Sequence, residues 1–183
     1  MEWDKLWALN KQAIDPIAPR YSAIVKDTAV KFILENVEDK IEAKSVALHP
    51  KNEALGTKAL IFGKTCWIEK DDADGIVEGE KIALRSYGKV LVTRKVEENG
   101  RSVIYGNLDS EDQDFKKAKI ITWICADDSV TCDITLKEFD HLITKKKIED
   151  TDDVKDIVNK DSKASYTAIG EGVMKNLKKG DFI

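Results

Sequence analysis

From Ser22 onward no pattern lasts long: short runs rich in Val, Ile, Thr and aromatic residues are cut repeatedly by Gly, Asn, Asp, Ser or Pro. The first kind of residue suits a half-buried pleated surface and the second suits turns, so the spacing predicts many short strands with tight connections. Strands are expected over 29–33, 43–48, 58–62, 65–69, 81–85, 89–97, 102–108, 120–125 and 130–135, with shorter ones at 165–169 and in the final run to Ile183. Asn99-Gly100 is a strong hairpin signal, since both residues tolerate the positive φ of a two-residue turn. Gly63-Lys64 and Asp127-Asp128-Ser129 suggest two more hairpins, and Thr151 is placed to cap a short helix reaching Val158. Gly170-Glu171-Gly172 reads as a turn, and 160–165 as a polar loop. No long helix alternates with these strands, which excludes a parallel α/β core and favours sheets closed into barrels. With 183 residues and 42% hydrophobic content, two small barrels fit better than one large one.

The first twenty residues differ. Trp3, Leu6, Trp7, Ala13 and Ile14 fall at helical spacing and predict an N-terminal helix with one apolar stripe. Asp15-Pro16 ends it, because Pro cannot donate into the ladder and forces the preceding residue out of the α region. Pro19 keeps the link extended and delivers Arg20 and Tyr21 to the start of the β-rich part.

Composition narrows the chemistry. No window approaches the ~18 apolar residues of a membrane span, and the N-terminus lacks an apolar secretory segment. Cys66, Cys125 and Cys132 show no CxxC spacing, and with His49 and His141 the only histidines, the material for a four-ligand zinc site is poor. Buried free thiols, no metal and no disulfide are expected, and His141 reads as a packed structural histidine. Asp71 to Asp74 lacks the calcium-loop spacing and reads as a solvated helical turn. There is no phosphate-binding G-x-G-x-x-G or P-loop and no strained G-x-S-x-G turn to present a nucleophile, so this chain is expected to be non-catalytic. The net charge of −4 hides separate basic runs at Lys116, Lys117 and Lys119 and at Lys145 to Lys147. These permit an RNA partner without predicting one. Only Arg20, Arg85, Arg94 and Arg101 among the 30 basic residues are arginines. In a lysine-rich chain each raises the question of whether a planar two-pronged donor is needed there.

Trp7, Asn10-Lys11 and Ile14-Asp15-Pro16-Ile17-Ala18-Pro19-Arg20, followed in order by His49-Pro50-Lys51-Asn52, Lys70-Asp71-Asp72-Ala73-Asp74, Ile121-Thr122-Trp123 and Phe139-Asp140-His141-Leu142-Ile143-Thr144, carry a resemblance. The chain resembles the anticodon-binding region of archaeal and eukaryotic-type glutamyl-tRNA synthetases over almost its whole length. That resemblance implies a mainly β fold of two barrels, proximal and distal, the distal one inserted into the chain of the proximal and both preceded by the junction helix. The corresponding division is residues 1–21 as junction helix and linker, 22–39 with 111–183 as proximal barrel, and 40–110 as distal barrel. Family members continue past a segment like Gly180-Asp181-Phe182-Ile183 with a further strand, so the chain is read as a fragment with an incomplete proximal barrel. An open edge there would be available for self-association of an otherwise monomeric protein.

The resemblance further implies binding of the tRNA anticodon stem-loop in the cytoplasm, with no DNA or membrane partner. It also implies no cofactor in this region, with ATP and Mg²⁺ used by a separate catalytic domain whose His-x-Gly-His and Lys-Met-Ser-Lys-Ser signatures are missing here. Splayed anticodon bases are read by hydrogen bonds and stacking. The candidate RNA-binding residues are therefore Arg20, Arg85 and Arg94, with Tyr21, Tyr87 and Trp67 as stacking faces or, alternatively, core residues. Arg20 matches the Ala-Pro-Arg segment that lies near the anticodon in glutaminyl relatives. It can read a base, hold a phosphate or pair with Asp15. Two other identities stay open: a free-standing β-barrel RNA-binding or interaction module, and the same region of a glutaminyl-tRNA synthetase.

Overall fold

The computed structural model describes residues 3–98, 100–109 and 118–183; the readings placed on Asn99, Lys116 and Lys117 lie outside these. Among the described residues, helix α1 (Trp3–Ile14) leads into twelve strands. They are β1 (Ala23–Val25), β2 (Val30–Leu34), β3 (Glu42–Ala47), β4 (Thr57–Phe62), β5 (Thr65–Ile68), β6 (Lys81–Leu84) and β7 (Gly88–Glu98). After these come β8 (Arg101–Asp109), β9 (Lys119–Ile121), β10 (Trp123–Cys125), β11 (Thr131–Phe139) and β12 (Lys163–Glu171). Two single-turn helices, α2 (Lys70–Asp74) and α3 (Val154–Ile157), interrupt them. The fold is mainly β.

Seven strands form one sheet in the order β10-β5-β2-β8-β7-β6-β9. Its two edges, β9 and β10, are consecutive in the chain with only Thr122 between them. One continuous stretch therefore pairs with β6 on one side and with β5 on the other, drawing the sheet into a nearly closed barrel. Its interior is filled by Phe32, Leu34, Ile82, Leu84, Val90 and Ile104, all 0% exposed. Gly106 on β8 is required there, since a Cβ would stand 2.9 Å from the Leu91 carbonyl and 2.5 Å from the Val90 side chain. The β7–β8 hairpin runs from Lys89↔Asp109 to Glu98↔Arg101, with Gly100 at φ 74° in the turn. A bulge between Val92 and Arg94 changes which face the rest of β7 presents. Strict alternation would have put Arg94 on the same face as Val90 and Val92. With Thr93 inserted, Arg94 instead opposes Tyr105, and Lys95 turns inward to donate to the carbonyls of Ala73 (2.7 Å) and Ile76 (3.3 Å) at the end of α2.

The second unit is the three-stranded sheet β1-β12-β11, and β3 with β4 forms a separate two-stranded ribbon. A small cluster of Ile24, Ala29 and Ile124, with Trp67 and Ile169 against it, joins the second unit to the barrel. The seven-stranded sheet takes strands from both sides of residues 40 and 110.

Several expectations need correction. Gly63-Lys64 does not close a hairpin: β4 pairs with β3, while β5 pairs with β2 and β10. Likewise β10 and β11 are not partners across Asp127–Ser129; β11 pairs with β12 from Thr131↔Glu171 to Phe139↔Lys163. The stretch 120–125 breaks at Thr122, because its halves serve opposite edges of the barrel. Helix α3 is capped by Asp153, whose carboxylate accepts from the Lys155 amide at 3.0 Å, and not by Thr151. The final run is not a strand but a 3₁₀ turn over Gly172–Asn176 followed by irregular chain. Residues 163–165 of the expected polar loop belong to β12, as do Gly170 and Glu171 of the expected turn. His141 is exposed and not packed. Two residues of the α1 stripe, Leu6 and Trp7, are 45% and 61% exposed.

Candidate nucleic-acid interface

The Pro16–Pro19 bend is held by hydrogen bonds of Ile17 and Ala18 to the Ile14 carbonyl and by the Asn52 amide on the Pro16 carbonyl at 2.7 Å. The Arg20 amide then donates to the Leu48 carbonyl at 2.7 Å, docking the segment onto the β3–β4 connection. In that connection His49 is buried, and its Nδ1 accepts from the Lys51 amide at 3.1 Å. One terminal nitrogen of Arg20 meets both the carbonyl and the carboxylate of Asp15. The Arg20 guanidinium holds the Asp15 carboxyl below the usual carboxylate range. Both side chains remain about half exposed. A guanidinium has five donors, so the Asp15 pairing leaves capacity for a further acceptor.

Tyr21 follows, half-buried, with the Lys58 ammonium 5.0 Å from its ring centroid. Lys58 lies on β4 and is itself almost buried; its Nζ donates to both oxygens of Glu171 at 2.6 and 2.5 Å and to the Arg20 carbonyl at 2.7 Å. Glu171 Oε1 also accepts from the Ser22 amide at 2.9 Å. At the other end of this segment the Glu69 carboxylate accepts from the Val25 amide at 3.1 Å. Partial burial raises the Glu69 carboxyl above its ordinary value. Residues 22–25 are thus pinned by a carboxylate at each end. Next to the Glu171 pin lies a cleft of about 300 Å³, bounded by Ala59, Ile61, Ile124, Thr131, Glu171 and Asn176.

Trp67 faces the small cluster beneath β1, half-buried, with Lys31 Nζ 5.7 Å from its ring centroid. Arg85 and Tyr87 sit together on the turn between β6 and β7, where Ser86 adopts a positive φ of 61°. The Arg85 side chain is exposed, while its carbonyl accepts from the Trp123 indole at 2.8 Å. Tyr87 is drawn inward: its hydroxyl donates to the Gly63 carbonyl at 3.0 Å, and its ring packs 4.6 Å from Phe62 and 4.9 Å from Trp123. Burial pushes the Tyr87 phenol up, as it does the Cys66 and Cys125 thiols that oppose each other on β5 and β10. Arg94 is exposed, stacked 3.7 Å over Tyr105 and 3.4 Å from Glu35.

The six sequence-predicted residues therefore fall into separate places. Arg20 and Tyr21 lie where the β3–β4 ribbon meets the three-stranded sheet, and Trp67 lies beneath that sheet's β1. Arg85 with Tyr87 occupies one turn, and Arg94 stands on the outer face of β7. Among the described residues no hydrogen bond or ring contact joins Arg94 to the others. The sequence reading gave Lys58 and Glu69 no role beyond their strands and Glu171 none beyond a turn. The one signal available was a carboxylate flanked by two glycines, which leaves little side-chain bulk around Glu171.

The comparisons with known proteins bear on this arrangement. Residues 18–111 and residues 120–183 each match a family model described as the anticodon-binding domain of class I (E and Q) tRNA synthetases. The whole chain is 40% identical to the cytoplasmic glutamate–tRNA ligase of Arabidopsis thaliana, covering 26% of it. It is also 40% identical to the cytoplasmic glutamate–tRNA ligase of Saccharomyces cerevisiae over 25% of that protein. To the bifunctional glutamate/proline–tRNA ligase of Mus musculus it is 37% identical, covering 12%. The chain thus spans about a quarter or less of the length of these relatives. A mainly β chain matched over residues 18–111 and 120–183 belongs to the anticodon-binding domain family of the class I tRNA synthetases for glutamate and glutamine.

Proposed function

We propose that this chain is the anticodon-binding region of a glutamate–tRNA ligase and holds the anticodon loop of the glutamate tRNA. The observation that carries this reading is the similarity of the entire chain to relatives named for glutamate, which favours that amino acid over glutamine. ATP and Mg²⁺ would act in a separate catalytic part, and the cytoplasmic setting is that of the named relatives. The barrel division is part of the same proposal: residues 40–110 as distal unit, 22–39 with 111–183 as proximal unit, and one sheet shared between them. Arg20 is the first candidate reader, because its segment is anchored through the backbone while its guanidinium stays half exposed. Tyr21 beside it and Trp67, Arg85, Tyr87 and Arg94 farther off complete the set, with Tyr87 limited by its inward packing. Preorganised backbone reduces the ordering cost of binding, and a planar fork suits a base edge.

Titration against stem-loops with the glutamate anticodon or a scrambled one, at a single salt concentration, tests this. The wild-type chain is expected to prefer the matched loop. Arg20→Lys is expected to cost about 1–3 kcal/mol on that loop and little on the scrambled one, since charge is kept and the two-pronged geometry is lost. Equal loss on both RNAs would reduce Arg20 to a phosphate contact. A fall in thermal stability with discrimination intact would leave it only the Asp15 pairing.

A further inference from the structure

We infer that Lys58 and Glu171 form a positioning latch that sets the place of Arg20 and Tyr21 and so governs anticodon discrimination; this rests on the RNA-binding reading above. Their side chains are only 10% and 7% exposed. Lys58 lies in the first family match and Glu171 in the second, so the pair joins two parts distant in sequence. Its remaining hydrogen-bonding capacity goes to the segment in question. Lys58 Nζ takes the Arg20 carbonyl at 2.7 Å, and Glu171 Oε1 takes the Ser22 amide at 2.9 Å. The backbone on both sides of Tyr21 is therefore tied to the same two charges, and the ammonium also approaches the Tyr21 ring.

A pair of this kind contributes little net stability, because removing two charges from water costs about as much as their attraction returns. Its consequence is geometric. A strong charge-assisted bond has a narrow preferred geometry, and here that geometry is passed to two successive peptide groups next to the candidate reader. Gly172 adds to this by allowing the chain after Glu171 to cross against the Val130 carbonyl, where a Cβ would collide. An apolar pair of similar volume would preserve packing while releasing the Arg20 carbonyl and the Ser22 amide.

The decisive variant is therefore the double substitution Lys58→Met with Glu171→Leu, which leaves no buried charge unpaired. Hydrogen exchange at the Ser22 amide and binding to matched and scrambled stem-loops are measured on the same protein. Ser22 exchange should accelerate, and the preference for the matched loop should fall by roughly tenfold, the scale of a lost charge-assisted hydrogen bond. Affinity for the scrambled loop and the salt dependence should stay unchanged. Unaltered discrimination, with or without faster Ser22 exchange, would overturn the inference. If wild type itself shows no preference, the RNA-binding reading fails and the latch loses its role with it. Should the double variant fold poorly, Glu171→Gln keeps an acceptor for Ser22 and weakens only the hold on Lys58. A smaller, several-fold loss of preference is then expected, and no loss would overturn the latch.

Discussion

The seven-stranded barrel and the β1-β12-β11 sheet are built from similar residues but held in different ways. Inside the barrel Phe32, Ile82, Val90 and Ile104 are wholly buried and belong to one continuous cluster. In the smaller sheet β11 and β12 extend past the three-residue β1, leaving Phe139 and Tyr166 exposed, and the joining cluster has only Ile24, Ala29 and Ile124 fully inside. Its position depends heavily on directed polar contacts: Glu69 to Val25, Glu171 to Ser22, and Lys58 to Glu171. Hydrophobic burial is non-directional and makes a stable body, whereas hydrogen bonds and ion pairs give little stability but fix orientation. The lesson is that stability resides mainly in the barrel, and the geometry of the candidate RNA-reading seam resides in a few buried polar groups.

The comparison breaks most directly at Phe32. Phe32→Ala is expected to lower global stability by about 3–5 kcal/mol, measured by urea unfolding, because it empties the centre of the barrel. A loss under ~1 kcal/mol would show that the barrel interior relaxes and is not the stabilising body described.

A smaller and more local effect is expected at Ile24, where a side chain buried in a cluster of few partners is removed. Ile24→Ala should cost about 2 kcal/mol, at the low end for such truncations. Amide exchange should rise in β1, β11 and β12 while β7 and β8 keep their protection. Loss of protection in both units together would mean that they unfold as one body.

The smallest effect concerns the exposed Asp15–Arg20 contact, which sharpens the comparison by isolating a surface pair from the buried latch. The folded Asp15 carboxyl is held below its unfolded value by the Arg20 guanidinium, so its contribution is present above about pH 4 and is lost as pH falls through the lowered value. Carboxyl NMR should find Asp15 titrating below ordinary aspartates, and Arg20→Ala should return it to the common range. No change on that substitution would remove Arg20 as the cause.

Much of the local structure was legible in advance. Apolar spacing over 3–14 and the Pro16 stop mark α1, and alternation around Asn99-Gly100 marks the β7–β8 hairpin, because hydrogen bonds and side-chain direction there are settled within a few residues. Of the candidate site, the sequence pointed to Arg20 and Tyr21 but not to what holds them. Arg94 was legible as an anomaly on an apolar face, yet its resolution needed the bulge at Thr93.

Sequence alone determined the β-rich class, the approximate limits of most strands, the helix with its proline stop and the motifs that place the chain in its family. These follow from the period of side-chain exposure and from turn chemistry, which act over short distances. Only the tertiary structure decided which strands pair: that β4 leaves β5 for β3, that Thr122 divides one run between opposite barrel edges, and that Glu171 meets Lys58. Partner choice depends on closing loops of very different length and on burying shared faces, so it belongs to the whole chain and is not written in any one stretch of it.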